Sequence, residues 1–205
     1  MEQKEAKDKK KQKELIVITS NQGKFMEIAR ELSKLKIRAV QKKFPYPEIQ
    51  ADALEDVVNF GLEYLLGKLD KPFIIDDSGL FIHSLHGFPG VYSHFIYDAL
   101  GKHKVLELLC GHDQRKAHFE TAIGYVDQNQ KKHLFTGRCD GAIGKISKGS
   151  FGFGYDPIFI PEGQERTFAQ MSPMEKNQIS HRGKATRSFI DHLKGELVQE
   201  GGGEE

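Results

Sequence analysis

Four consecutive apolar residues, Leu15-Ile16-Val17-Ile18, run directly into the polar stretch Thr19-Ser20-Asn21-Gln22-Gly23-Lys24. Phe25, Ile28, Ala29, Leu32 and Leu35 then recur at helical spacing. A short β-branched run predicts a buried strand, and the 3.6-residue period after it predicts a helix laid on that strand. Ile37 to Val40 reads as a second strand, and this strand–helix–strand order points to an α/β fold. Leu54, Val57, Val58, Leu62, Leu65, Leu66 and Leu69 mark a second amphipathic helix. Phe73-Ile74-Ile75 is another short buried strand that ends in Asp76-Asp77-Ser78-Gly79.

The period then falls to two. Phe119, Thr121, Ile123 and Tyr125 alternate with His118, Glu120 and Ala122; a polar turn covers Asp127 to Lys132, and a second β segment runs from His133 towards Ile146. This predicts a long hairpin, with Gly141 and Gly144 as bends or bulges. Ser172-Pro173-Met174-Glu175 has the form of a capping box with proline at the first helical position. Beyond it, Ala185, Phe189, Leu193 and Leu197 form a helical stripe. The expectation is a mixed sheet with flanking helices and a protruding β section.

At 205 residues the chain suits one domain or two tightly joined lobes. Residues 1–13 carry six lysines and three acids with no apolar face, so a charged flexible tail is expected there. A single two-lobed domain is expected over 14–198 and a disordered tail over 199–205. Net charge is +1, which supplies no global basic field for nucleic acid. Cys110 and Cys139 are too few for a disulfide framework. No apolar run is long enough to span a membrane and no signal sequence is evident, so a cytoplasmic protein is expected.

Four polar clusters sit at element ends, where α/β proteins place their sites. Thr19 to Lys24 lies at a helix N-terminus, which suits phosphate, although Asn21 is accounted for equally well as the helix cap. Asp76 and Asp77 are adjacent carboxylates, costly near a buried strand unless paired, protonated or bound to a cation. Because side chains alternate along a strand, only one of the two is expected to face a given cleft. Glu48 lies in the proline-stiffened Pro45-Tyr46-Pro47-Glu48. Gly149-Ser150-Phe151-Gly152-Phe153-Gly154-Tyr155-Asp156-Pro157 interleaves glycine with aromatics and suits a flat ligand. Lys176 and Ser180-His181-Arg182-Gly183-Lys184 form the last cluster. Lys176 and Arg182 would stand about 240° apart on an unbroken helix, so a shared ligand requires a break near Ser180, which then caps the restart. The histidines show no metal-ligand spacing with an acid or cysteine, so no zinc site is expected.

Taken together and in this order, Thr19-x-Asn21-x-x-Lys24, Asp76-Asp77-Ser78-Gly79-Leu80, Gly87-Phe88-Pro89-Gly90-Val91-Tyr92-Ser93, Phe153-Gly154-Tyr155-Asp156-Pro157 and Ser180-His181-Arg182-Gly183 resemble the inosine triphosphatase family, also described as XTP/dITP diphosphatases. The resemblance spans Leu15 to Leu197. It implies an elongated mixed sheet, two lobes around a nucleotide-binding cleft, and a homodimer. It implies Mg²⁺-dependent hydrolysis of ITP, dITP and XTP to the monophosphate and pyrophosphate, which cleanses the nucleotide pool.

On that resemblance Asp77 is the general base, and Glu48 with Asp77 holds Mg²⁺. Asn21, Lys24 and Lys176 contact the triphosphate, within a substrate set that includes Thr19, Ser20, Gln22, Gly23 and Ser78. Phe153 stacks on the base, flanked by Gly154 and Tyr155, with Asp156, His181 and Arg182 around the base edge and sugar. No nucleic-acid or membrane partner is implied. The chain departs from the family pattern after Ser93, where His94-Phe95 stands in place of a stretch carrying a basic residue.

Overall fold

The computed structural model describes residues 13–201, and nothing of the side chains of 199–201. The expected tail at 1–13 therefore lies outside the described residues except for Lys13. The strands are β1 (Glu14–Ile18), β2 (Arg38–Lys42), β3 (Phe73–Ile82), β4 (Pro89–Gly90), β5 (Lys116–Val126), β6 (Lys132–Ile143) and β7 (Phe159–Pro161). The helices are α1 (Gln22–Lys34), α2 (Leu54–Leu65), α3 (Ser93–Leu108), α4 (Pro173–Ile179) and α5 (His181–Gly201).

The strands form one mixed sheet in the order β2-β1-β3-β5-β6-β7, with β4 paired to β3 outside that path. β1 runs parallel to β2 and β3, while the β3–β5, β5–β6 and β6–β7 pairs are antiparallel. The predicted hairpin is β5–β6, in continuous register from Lys116↔Ala142 to Val126↔Lys132. Gly141 is not a bulge. It keeps its partner Ala117, and a Cβ there would collide with the carbonyl of Ile160 on β7, so close strand approach is what excludes a side chain.

β3 is the element whose extent the sequence understates. It does not stop at Ile75 but passes through Asp76-Asp77-Ser78-Gly79 and pairs with β5 as far as Ile82. The polar stretch marks a change of core rather than an end of strand. Before it, Phe73 and Ile75 pack under α2 while Ile74 packs under α1 and α5. After it, Leu80 and Ile82 join Val105, Tyr155, Ile158, Phe159 and Phe168 in a separate core. On β5 the matching residue is Thr121, buried opposite Ser78, with their hydroxyls 2.6 Å apart. One continuous ladder thus carries three cores, two on opposite faces before the polar stretch and one beyond it, each formed by apolar burial, with polar side chains at the junction. Phe73, Phe159, Phe168 and Phe189 are fully buried, and truncating any one to alanine costs about 3–5 kcal/mol.

Helix α2 ends at Leu65, four residues short of the apolar pattern. Leu66 leaves the helical region and Gly67 has φ +77°. Helix α3 has no counterpart in the periodicity. Its apolar residues are spread around the axis, Phe95, Leu100 and Leu108 stay exposed, and Gly101 breaks it with a non-helical conformation. The expected break at Ser180 is present: this residue is extended (φ −69°, ψ 158°), ends α4, and accepts from Gly183 N–H at 3.1 Å to start α5. The capping box of α4 is also formed, Ser172 N–H reaching Glu175 at 2.8 Å and Glu175 N–H reaching Ser172 Oγ at 3.3 Å. Gly137 on β6 lets the first turn of α5 lie directly on the sheet, since a Cβ there would strike the carbonyl of His181. Helix α5 continues to Gly201, into the segment expected as a loose tail.

Candidate active site

A cleft of about 870 Å³ opens over the polar stretch of β3. Thr19, Ser20, Asn21, Lys24, Glu48, Asp77, Ser78, Phe153, Gly154, Tyr155, Asp156, Lys176, His181 and Arg182 line it. Of the residues expected from the sequence, Gln22 and Gly23 do not. Gln22 faces solvent from the first turn of α1, and Gly23 lies beneath the Phe153 ring, where a side chain would collide with it.

Along the inner wall, charges alternate in sign. Lys24 Nζ is 3.3 Å from Asp76 Oδ2, and Arg182 Nε donates to the same oxygen at 3.2 Å. Arg182 Nη1 reaches Glu27 Oε2 at 2.9 Å, and Lys176 Nζ joins Glu27 Oε1 at 3.1 Å to Asp156 Oδ2 at 2.7 Å. Arg182 Nη2 donates to Ser78 Oγ at 2.8 Å, so three sides of the guanidinium fork are held and its plane is fixed. Burial raises the Glu27 carboxyl, but Arg182 and Lys176 outweigh it and hold the group below its usual value. Burial pushes the Asp156 carboxyl up against the pull of Lys176. Arg182 is buried, which opposes its charge, but Glu27 and Asp76 more than restore it.

Glu27 was absent from the sequence expectations, as was the role of Asp76 as the shared partner of two cations. The signal for Glu27 was its position one turn beyond Lys24 on α1, which a motif reading passes over. The expectation that only one of Asp76 and Asp77 faces the cleft is corrected. Both line it, and Lys24 Nζ lies 3.3 Å from Asp76 Oδ2 and 3.9 Å from Asp77 Oδ1.

The outer rim differs. Burial pushes the Asp77 carboxyl up to about 6; Lys24 and the Ser78 N–H, 2.7 Å from Asp77 Oδ1, pull it down, while Asp76 and Glu48 add to the rise. Burial also raises the Tyr46 phenol, and Asp76, Asp77 and Glu48 raise it further. Asp77 and Glu48 thus lie near Asp76 with Lys24, 3.9 Å from Asp77, as compensating charge. Asp76 Oδ2 is paired with Lys24 and Arg182, but its Oδ1 is buried with no hydrogen-bond partner. A solvent-shielded, undonated carboxylate oxygen is costly without a cation or water. An all-oxygen donor set of this kind fits a hard divalent cation such as Mg²⁺.

The remaining expected residues divide by packing. Asn21 Oδ1 caps α1 through Lys24 N–H at 3.1 Å, and Thr19 Oγ1 accepts from Asn21 N–H at 3.1 Å. The Phe153 ring is half-buried, 4.7 Å from Lys176 Nζ, and its N–H donates to Asp156 Oδ2 at 2.9 Å. Tyr155 is largely a core residue, with its hydroxyl on the Ser93 carbonyl at 3.1 Å. His181 is buried and stacks on Phe119 with ring centroids 4.5 Å apart. Its Nδ1 has no partner, and burial holds the imidazole neutral. Lys176 is committed to two carboxylates, so a phosphate contact requires it to release one. His94 and Phe95, at the start of α3, line the cleft mouth where the family's basic residue was missing.

This arrangement offers a helix N-terminus with Lys24 for an anion, carboxylates for a cation, and a ring backed by two cations for a flat group. A sequence model described as the Ham1 family matches residues 15–192. The dITP/XTP pyrophosphatase of Thermococcus kodakarensis is 51% identical over 183 residues, covering 89% of this chain and 98% of that protein. The dITP/XTP pyrophosphatase of Pyrococcus horikoshii is 52% identical over 181 residues, 88% of this chain and 96% of that one. Among solved structures, the Staphylococcus aureus Ham1 protein superposes with a TM-score of 0.78 at 30% identity, covering 90% of this chain and all of that one.

Proposed function

Because the chain belongs to the Ham1 family, we propose that its cleft hydrolyses non-standard purine nucleoside triphosphates, ITP, dITP and XTP, to the monophosphate and pyrophosphate. The chain is a nucleoside-triphosphate pyrophosphatase, and its place in metabolism is removal of deaminated purines before they enter DNA or RNA. The observation that carries the site reading is the contrast within one cleft between a series of closely paired charges and the weakly compensated carboxylates Asp77 and Glu48.

Glu48 and Asp77 would hold Mg²⁺, with Asp76 Oδ1 facing the same locality; a bound Mg²⁺ orients phosphate oxygens and offsets their developing charge. Asp77 is the general base: burial, Asp76 and Glu48 raise its proton affinity above that of a free carboxyl, which favours taking a proton from water. Asn21 and Lys24, with the α1 N-terminus, hold the triphosphate, and Lys24 stabilises the departing pyrophosphate. Lys176 adds positive charge beneath Phe153. Phe153 stacks on the purine with Lys176 and Arg182 behind its ring.

Selection against ATP lies at purine position 6, where ITP and XTP carry an oxygen and ATP an amine. Remaining donors of Arg182 or His181 aimed there meet an acceptor in the first case and another donor in the second. GTP shares that oxygen, and its rejection rests on its 2-amino group. One buried donor left unpaired costs about 1–3 kcal/mol, so strong rejection requires several contacts.

The same family reading brings a cytoplasmic homodimer. No helix among the described residues is long and apolar enough to cross a membrane. The deciding experiment is pyrophosphate release from ITP, dITP, XTP, ATP, GTP and dUTP, with Mg²⁺ and with EDTA. Metal-dependent release from the deaminated purines, with ATP and GTP far slower, is the expected result. Preference for dUTP moves the enzyme to modified pyrimidines, and no release from any of them refutes the assignment.

A further inference from the structure

Away from the cleft, three donor side chains converge beside the second half of α5. His192 and Glu196 stand one turn apart on that helix, and His133 meets them from the start of β6. One donor atom from each lies within 4.8 Å of the other two, the one such three-residue group among the described residues. None of the three lines the cleft. We propose that His133, His192 and Glu196 bind a divalent transition-metal cation of the zinc class. This differs from the sequence expectation, in which no histidine had metal-ligand spacing. His192-x-x-x-Glu196 has it, and the third ligand was invisible because only the packing of α5 on β6 brings it near.

Ring packing alone explains why the imidazoles sit here, since His192 lies 4.3 Å from His133 and 5.3 Å from Phe135 between centroids. It does not explain the state of the donor atoms. His192 Nε2 is shielded from solvent and makes no hydrogen bond, although Glu196 Oε1 is 3.2 Å away. Two ligands on one tetrahedral ion, with bonds of about 2.0–2.1 Å, stand about 3.3–3.4 Å apart. That pair already has the separation of a ligand edge, and the third donor, within 4.8 Å of both, needs to close by at most about 1.5 Å to complete the face.

The supporting contacts are also built. Glu196 Oε2 accepts from the Tyr125 hydroxyl at 3.0 Å, which turns Oε1 towards His192. Asp127 Oδ2 is 3.0 Å from His133 Nε2, and Asp127 is itself fixed because Oδ1 accepts the N–H groups of Asn129 and Lys131 at 2.8 and 2.9 Å. Carboxylate and hydroxyl partners of this kind orient metal ligands. Two imidazoles and one carboxylate favour zinc, nickel or copper over Mg²⁺, which takes oxygen ligands, so the two candidate sites differ in ligand chemistry. All three side chains are half-buried and reachable. An ion held here ties α5 to the turn end of the β5–β6 hairpin and stabilises the folded chain by mass action.

The test is titration of the chelator-stripped full chain with Zn²⁺ in a large excess of Mg²⁺, followed by calorimetry and thermal unfolding. One Zn²⁺ per chain and a raised melting temperature are expected. His192→Gln and Glu196→Gln should each weaken Zn²⁺ binding at least about tenfold while leaving Mg²⁺-supported turnover intact. Co²⁺ in place of Zn²⁺ should give visible absorption that His192→Gln removes. Glu196→Gln preserves shape, so the test survives if His192→Gln folds poorly. Displacement of Zn²⁺ by Mg²⁺, or binding unchanged in both variants, overturns the proposal and places the ion elsewhere.

Discussion

On the inner wall of the cleft, from Lys24 through Asp76, Arg182, Glu27 and Lys176 to Asp156, each charge touches one of opposite sign. On the outer rim, Asp77 and Glu48 lie near Tyr46, and Lys24 stands 3.9 Å from Asp77. The two sets meet at Asp76 and Asp77, neighbours on β3, yet they respond to different demands. Paired buried charges hold one another's geometry and leave no charge unsatisfied. Weakly compensated carboxylates raise each other's proton affinity and leave a negative locality for something else to neutralise. The wall positions and the rim reacts, so the two should fail differently when altered.

The largest effect expected is on the rim. Asp77→Asn should fold normally, because the residue holds no charge pair that the wall depends on, while turnover of ITP falls by about 10²–10⁴. Near-wild-type turnover in steady-state pyrophosphate release removes Asp77 from the mechanism. On the wall, Glu27→Ala should act mainly through stability. It leaves the charges of Lys176 and Arg182 under-compensated and costs about 2–4 kcal/mol, the buried-pair value reduced because Glu27 is partly solvated. Urea unfolding measures it, and a loss no greater than that of an exposed surface residue would dissolve the distinction between wall and rim.

That distinction was only half legible in the sequence. Every motif that lines the cleft was visible, because each lies where a strand or helix pattern ends in polar residues. The break at Ser180 followed from the angular separation of Lys176 and Arg182 alone. Glu27 was not legible, since its partners come from α4 and α5 and a charged residue on a helix face carries no mark of being buried. β3 was read short for a related reason: polar residues in mid-strand that face a cleft look the same in sequence as a strand end. Helix α3 escaped because its apolar residues do not share one face.

A smaller effect should appear where wall and ligand meet. Phe153→Ala removes the ring that covers Lys176 and Arg182, and base stacking of this kind is worth about 1–3 kcal/mol. KM for ITP should rise roughly fivefold to a hundredfold with kcat changed less. An unchanged KM refutes the stacking role and leaves Phe153 as a cover for the charge network.

The smallest effect separates wall from rim by its sign, in protein stripped of divalent ions. Asp77 is raised from 3.8 to about 6 in the fold, so its contribution to stability is full below 3.8 and is lost as pH rises through about 6. Glu27 is held below 4.5, so its contribution is full above that value and is lost as pH falls through its lower folded value. His181, buried and neutral, and His118, lowered to about 4 chiefly by burial, also cost stability on acidification, so the wild-type profile alone mixes opposing slopes. The difference between variant and parent isolates each group. Asp77→Asn should be more stable than its parent at pH 7 by about 1–2 kcal/mol, discounted for partial exposure, and the gap should close towards pH 4. Glu27→Ala should be less stable at pH 7, with a gap that narrows only below pH 4.5. If both gaps close over the same pH range, or Asp77→Asn is the less stable protein at pH 7, the rim is not under electrostatic strain. The raised affinity of Asp77 for a proton then no longer supports its role as the base.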